Sequence, residues 1–203
     1  MVAIGVSTGG PAALTQILPA LPRDLAAPVV VVQHMPPGFT RYLADRLDAQ
    51  CGLRVREAGG GEVLEPGHLW IAPGGSHLAM YRAGGQVHLR KHQGSPENSC
   101  RPAVDVLFRS AAETFGPHAM AVILTGMGYD GRSGCESVHA AGGQVLAQDR
   151  ASSVVWGMPG AVVAAGVADL VVPLSRVAAE ITRRVAERRL PPAAQATARG
   201  QLP

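Results

Sequence analysis

Three short apolar runs punctuate the chain, and each gives way at once to polar and glycine positions: Ala3-Ile4-Gly5-Val6, Val29-Val30-Val31-Val32 and Ala121-Val122-Ile123-Leu124. Runs of this length, bounded by turn residues and lacking a polar alternate, predict strands buried on both faces of a parallel sheet. Between them the period changes. Phe39, Leu43 and Leu47 recur at helical spacing over 39–48. Val104, Leu107, Phe108, Ala111 and Phe115 do so within 102–115. A further helix is predicted from about Gly131 to Ala141. Strands are predicted over 144–147 and 167–172. A last helix opens at Pro173 and buries Val177, Ala178, Ile181 and Val185.

The middle of the chain reads differently. Leu69–Ala72, His77–Met80 and Gln86–Leu89 are short strand-like runs set apart by the glycine pairs Gly74-Gly75 and Gly84-Gly85. They predict an antiparallel β-meander inserted into the strand–helix alternation. The expected class is therefore α/β, a doubly wound, mostly parallel sheet with that insertion. No internal repeat is visible.

Composition supports this class and removes others. Nearly half of the 203 residues are apolar and only 4% aromatic, which suits a valine-rich sheet under alanine-rich helices. A formal net charge of +3, with no basic patch interleaved with aromatics, gives no reason to expect nucleic acid. Cys51, Cys100 and Cys135 are odd in number and lack CxxC spacing, as expected of reduced thiols in a cytoplasmic protein. No apolar stretch reaches membrane-spanning length, so no membrane insertion is expected. Arg183, Arg184, Arg188 and Arg189 suit a solvated helix C-terminus. Pro191 to Pro203 reads as a flexible tail, leaving residues 1–190 as the folded domain.

The candidate chemistry sits where the apolar runs stop. Ser7 follows the first strand, His34 the second, and Asp130 closes the turn Gly126-Met127-Gly128-Tyr129-Asp130 after the third. In a parallel sheet those ends share one edge, where ligands of open α/β sheets bind. Serine needs a base within hydrogen-bond reach, histidine titrates near neutrality, and a carboxylate behind it fixes the tautomer. Gly9 and Gly10 allow close backbone approach, and Pro11 suits the first helical position.

Each residue has a plainer role available. Asp130 has the place of a helix cap, and His34 that of a structural hydrogen-bonder. The Gly9-Gly10 turn fits a non-enzymatic nucleotide- or phosphate-binding module, although the P-loop lysine is absent. Gly5-Val6-Ser7-Thr8-Gly9 satisfies G-x-S-x-G literally, so a serine esterase of small molecules stays open. No strand and no oxyanion loop precedes it, which weighs against an α/β-hydrolase fold. The remaining histidines show no HxH or HxxxH spacing, and no metal site is expected.

Longer motifs narrow these alternatives. Ile4–Pro11, Val32–Pro36, Ile71–Gly75, Arg101–Phe108, Leu124–Gly128 with Asp130-Gly131, and Ala147–Asp149 through Ser152–Pro159 appear in one order between about residues 3 and 185. Together they resemble the catalytic domain of the CheB-type protein-glutamate methylesterases of bacterial chemotaxis. The resemblance implies Ser7 as nucleophile, His34 as base and Asp130 as the orienting carboxylate. It puts Thr8 and Met127 where the ester oxyanion is held. It implies hydrolysis of glutamyl methyl esters on the cytoplasmic helices of chemoreceptors, with methanol released, and glutamine deamidation by the same acyl chemistry. No cofactor is implied, and a monomer is expected. Tyr129, Arg132, Gly160 and Cys100 depart from residues common in the family and bear on substrate preference. Family members often carry an N-terminal receiver domain. This chain opens on the catalytic strand, as a stand-alone enzyme or an excised domain would.

Overall fold

The computed structural model describes residues 1–187. Seven parallel strands form one sheet: β1 (Val2–Val6), β2 (Val29–Gln33), β3 (Arg54–Glu57), β4 (His68–Ile71), β7 (Met120–Ile123), β8 (Gln144–Gln148) and β9 (Leu170–Val172). Their order across the sheet is β3-β4-β2-β1-β7-β8-β9. The chain starts in the centre, winds outward through β2 to the β3 edge, and returns to the other side of β1. The boundary between β1 and β7 is therefore a topological switch point, where loops leave in opposite directions and open a crevice.

Side-chain alternation along β1 separates the two faces. Val2, Ile4 and Val6 pack with α1 (Gly10–Ile17), α2 (Phe39–Asp48) and α6 (Leu174–Glu187) through Leu14, Leu43, Leu47, Val177 and Ile181. Ala3 faces the opposite layer of α3 (Val104–Phe115), α4 (Arg132–Ala140) and α5 (Met158–Ala164). Small residues on this second face let α3 sit close to the sheet. A Cβ on Gly5 would lie 2.3 Å from Val104 Cγ1. β5 (His77–Ala83) and β6 (Gln86–His92) make an antiparallel hairpin whose Leu78, Met80 and Leu89 join this core. The Met80 amide donates to Ser110 Oγ at 3.0 Å, which ties the hairpin to α3.

The expected class holds, with two differences in membership. The three-strand meander is a two-strand hairpin, because the segment around Leu69 and Trp70 pairs in parallel with β2 as β4. The sheet also gains the edge strand β3. Its Arg54-Val55-Arg56-Glu57 buries only Val55 fully, so it carries no apolar run, and its charges suit an unpaired edge. Helix α5 is one short element that periodicity did not announce. The predicted tail over 191–203, the boundary at 190, and Arg188 and Arg189 lie outside the described residues.

The close approach of α3 to β1 generates a prediction. Gly5→Ala should push Val104 away from the sheet and cost about 1–3 kcal/mol, as overpacking does. For a chain of this size that is several degrees of thermal midpoint, measurable by calorimetry. The double variant Gly5→Ala/Val104→Ala should recover part of the loss. An unchanged midpoint in the single variant would contradict the close packing.

Candidate active site

β1 ends at Val6, and the chain then turns sharply. The Ser7 amide donates to Thr125 O at 3.0 Å, and Ser7 O accepts from the Gly10 amide at 2.8 Å. The turn needs Gly9 at φ +83°, a left-handed conformation that a glycine adopts without steric cost, and Pro11 starts α1 within its first turn. Ser7 is left half-buried and Thr8 exposed. Beside it, the His34 amide donates to Val6 O at 3.1 Å, continuing the β1–β2 ladder one step past the strand ends. Gln33 Nε2 donates to both Ser7 O and His34 O, at 3.1 and 3.0 Å, and fastens the two loop starts together.

The His34 ring spans between two other segments. Its Nε2 lies 2.7 Å from Asp130 Oδ2, and its Nδ1 lies 3.6 Å from Cys100 Sγ. With a carboxylate acceptor on Nε2, that nitrogen carries the proton and Nδ1 is left as the basic position. Among the described residues the Ser7 hydroxyl makes no hydrogen bond to the imidazole. His34 and Asp130 are thus in direct contact, while Ser7 joins them through backbone. Active-site hydrogen bonds that are loose without substrate commonly tighten once it binds.

Asp130 is 2% exposed and accepts four hydrogen bonds. Besides His34, Oδ2 accepts from the Val104 amide at 2.7 Å. Oδ1 accepts from Asn98 Nδ2 at 2.9 Å and from the Asp105 amide at 3.1 Å. Val104 and Asp105 open α3, whose N-cap Ala103 offers no side-chain cap. The carboxylate therefore fills the orphan donors of that helix end, where the helix dipole also favours an anion. Burial alone would raise the Asp130 pKa, but the hydrogen bonds from His34, Val104, Asn98 and Asp105 outweigh it and hold the carboxyl below the ordinary value.

The capping role foreseen for Asp130 is real, though for α3 and not for the α4 that follows it. Asp105 returns the service: its Oδ1 accepts the Gly134 amide in the first turn of α4 at 2.6 Å. Asn98 Nδ2 also donates to Asp105 Oδ2 at 2.8 Å, so one amide bridges both carboxylates. Burial pushes the Asp105 carboxyl up, and the charge of Asp130 adds to this against the Gly134 bond. Neither Asn98 nor Asp105 was visible as a site residue in the sequence. Asn98 stands in an irregular loop at φ +50°, and Asp105 looks like an ordinary acidic residue in a helical first turn.

Thr8 and Met127, the two residues expected around the oxyanion, come from the loops after β1 and β7. Thr8 O accepts from Thr125 Oγ1 at 2.9 Å, which joins the loops. A Cβ on Gly126 would lie 2.8 Å from Ser7 Cβ, so the backbone leading into Met127 runs directly against the serine. The amides of Thr8 and Met127 enter none of the hydrogen bonds among the described residues. The Met127 side chain is 75% exposed.

Known proteins with this architecture have a consistent character. The protein-glutamate methylesterase/protein-glutamine glutaminase of Trichodesmium erythraeum is 55% identical over 185 residues, 91% of this chain and 53% of that protein. One of the same name from a Nocardioides species is 53% identical over 189 residues, 93% of this chain and 51% of its own length. The chain thus spans about half the length of these curated relatives. The crystal structure of the Thermotoga maritima CheB methylesterase catalytic domain superposes with a TM-score of 0.89 at 46% identity, covering 90% of this chain and 97% of that one. The family model described as CheB methylesterase matches residues 2–181, which takes in the nine strands of the described residues and every residue of the site described above, and the chain belongs to that family.

Proposed function

We propose that this protein hydrolyses the methyl esters of glutamate side chains on the cytoplasmic helices of chemoreceptors, with Ser7 as nucleophile. The observation that carries the reading is the His34–Asp130 pair at 2.7 Å, beside a serine on the neighbouring strand end. Asp130 holds the Nε2–H tautomer, so His34 Nδ1 is the atom that takes the hydroxyl proton as Ser7 Oγ attacks the ester carbonyl. The ester oxygen leaves as methanol with that proton. Water, deprotonated in turn by His34, resolves the acyl-enzyme and restores the glutamate. The uncommitted amides of Thr8 and Met127 suit an oxyanion hole. A glutamine side chain attacked in the same way would release ammonia, in keeping with the second activity in the names of the relatives. Nothing in these steps calls for a cofactor.

The rim supports a protein substrate. Met127, Tyr129 and Val154 are large apolar side chains exposed around the crevice, and Phe39 and Tyr42 stand on the helix that follows His34. A helical surface laid across such a rim would orient its ester, and that remote binding raises kcat/KM over a free small ester. We take the acting unit to be a monomer in the cytoplasm. No helix among the described residues is long and apolar enough to cross a membrane.

The test is methanol release from labelled methylated receptor. Wild type should act on it with kcat/KM far above that on free glutamate methyl ester; equal values would favour a small-ester hydrolase. Ser7→Ala should abolish release while leaving the thermal midpoint nearly unchanged, since the side chain is small and half-buried. Residual activity within a few-fold of wild type would remove Ser7 from the mechanism.

The carboxylate network predicts graded losses. Asp130→Asn should lower kcat by about 10⁴-fold, as loss of the correct tautomer does in a serine triad. Asn98→Ala removes one hydrogen bond to Asp130 and one to Asp105; the Asp130 bond, at about 1.5–3 kcal/mol, is the one that bears on His34, and kcat should fall by at most about 100-fold with KM little changed. Equal losses in the two variants would contradict the assigned roles.

A pH prediction follows from the depressed carboxyl. The Asp130 pKa in the folded protein lies below the unfolded reference of about 3.9. Its stabilising contribution is therefore complete above that reference and is lost as pH falls through the folded value. Thermal midpoints measured from pH 7 down to 3 should drop less steeply below about pH 4 in Asp130→Asn than in wild type. Parallel profiles would show that Asp130 is not the linked group.

A further inference from the structure

We infer that Cys100 and His34 together form a binding site for a soft divalent cation, zinc or cadmium, and that filling it switches the esterase off. Cys100 lies on the loop between β6 and α3, and its Sγ stands 3.6 Å from His34 Nδ1. Zinc binds thiolate sulfur at about 2.3 Å and imidazole nitrogen at about 2.0–2.1 Å, so a tetrahedral S–Zn–N angle sets the two donors about 3.6 Å apart. The pair already has that separation. The far side of the ring is also arranged as metal-binding histidines require. Its Nε2–H faces the buried Asp130 carboxylate at 2.7 Å, which fixes the tautomer and the ring orientation and leaves the Nδ1 lone pair toward Cys100. The donor atoms of His34, Cys100 and Asp130 all lie within 4.8 Å of one another. One sulfur and one nitrogen select a soft or borderline cation over magnesium or calcium.

The protons balance simply. Zinc displaces the thiol proton to solvent as the Zn–S bond forms, and bonds to the Nδ1 lone pair of the imidazole whose Nε2 faces Asp130. The remaining coordination positions are left to water. Burial, with the charge of Asp130 added, pushes the Cys100 thiol up, so the free thiol stays protonated and is a poor target for oxidants. A bound cation removes that barrier because a coordinating thiol is deprotonated outright. Sequence spacing gave no sign of the site, since its ligands come from segments 66 residues apart. The inhibitory half of the inference rests on His34 Nδ1 being the proton acceptor for Ser7, because the cation would occupy that same lone pair.

Binding and inhibition are separable by experiment. The full chain with Cys51→Ser, which removes the other thiol that is not fully buried, is titrated with cadmium chloride and followed by thiolate-to-metal charge-transfer absorption. One equivalent should produce the band. Cys100→Ser and Cys100→Ala should each abolish it, His34→Gln should weaken it, and Asp130→Asn should lower affinity by about 10–100-fold. Saturating zinc should slow methanol release at least about tenfold, chelator should restore it, and in Cys100→Ser the half-inhibiting zinc concentration should rise at least about tenfold. No band in the parent chain, or a band that survives both Cys100 variants, overturns the site. A normal band without inhibition leaves the site standing and overturns His34 Nδ1 as the proton acceptor.

Discussion

A carboxylate buried at the N-terminus of a helix is costly unless its lone pairs are filled, and Asp130 meets that condition with four donors from three segments. Desolvating such an ion costs several kcal/mol. Four hydrogen bonds to a charged acceptor, at about 1.5–3 kcal/mol each, are enough to offset it. The depressed pKa has the same sign as that comparison. The bonds do more than stabilise. They place the carboxylate relative to β2, α3 and the loop before α3 at once, so the His34 ring is oriented by the same contacts that hold two helices together. Asp105 completes the arrangement by capping α4, so each helix end is satisfied by an acid from the other's neighbourhood.

This coupling depends on how near α3 comes to the sheet. Ala3 and Gly5 are small on the face that α3 covers, and Val104 fills the space above Gly5. Larger residues there would lift the helix and carry the Val104 and Asp105 amides away from Asp130. The β5–β6 hairpin braces the other side of α3 through Leu78, Met80 and Leu89. An insertion that looks peripheral along the chain thus supports the site from behind, and the loop that leaves it delivers Asn98 and Cys100.

The crevice follows from strand order. Because β1 lies between β2 and β7, the loops carrying Ser7, His34 and Asp130 leave adjacent strand ends. Serine and histidine are brought side by side by ladder bonds that merely continue the sheet. The carboxylate arrives from farther away, across the α3 terminus, and needs a built network to hold it. Rigid backbone on one side and a buried polar network on the other leave the ring little freedom. With Nε2 on Asp130, its Nδ1 is turned toward Cys100.

Much of this was determined by the sequence alone. Continuous valine and isoleucine runs in a strand–helix alternation suit strands of a parallel sheet, and in such a sheet the residues at which they stop lie along one edge. The placement of Ser7, His34 and Asp130 past neighbouring strand ends was therefore legible before any coordinates, as was the family resemblance. The sequence did not determine that Leu69 and Trp70 join the main sheet, because a short apolar run pairs equally well with a hairpin neighbour. Nor did it announce β3, whose charges hide its one buried valine. Only the tertiary structure decided that Asp130 caps α3, that Asn98 bridges two carboxylates, and that Cys100 meets the imidazole. Apart from the Asn98–Asp105 bond, those contacts join residues 25 to 96 positions apart. Local periodicity reports which face of an element is buried; it carries no signal for which polar atoms meet once the elements have packed.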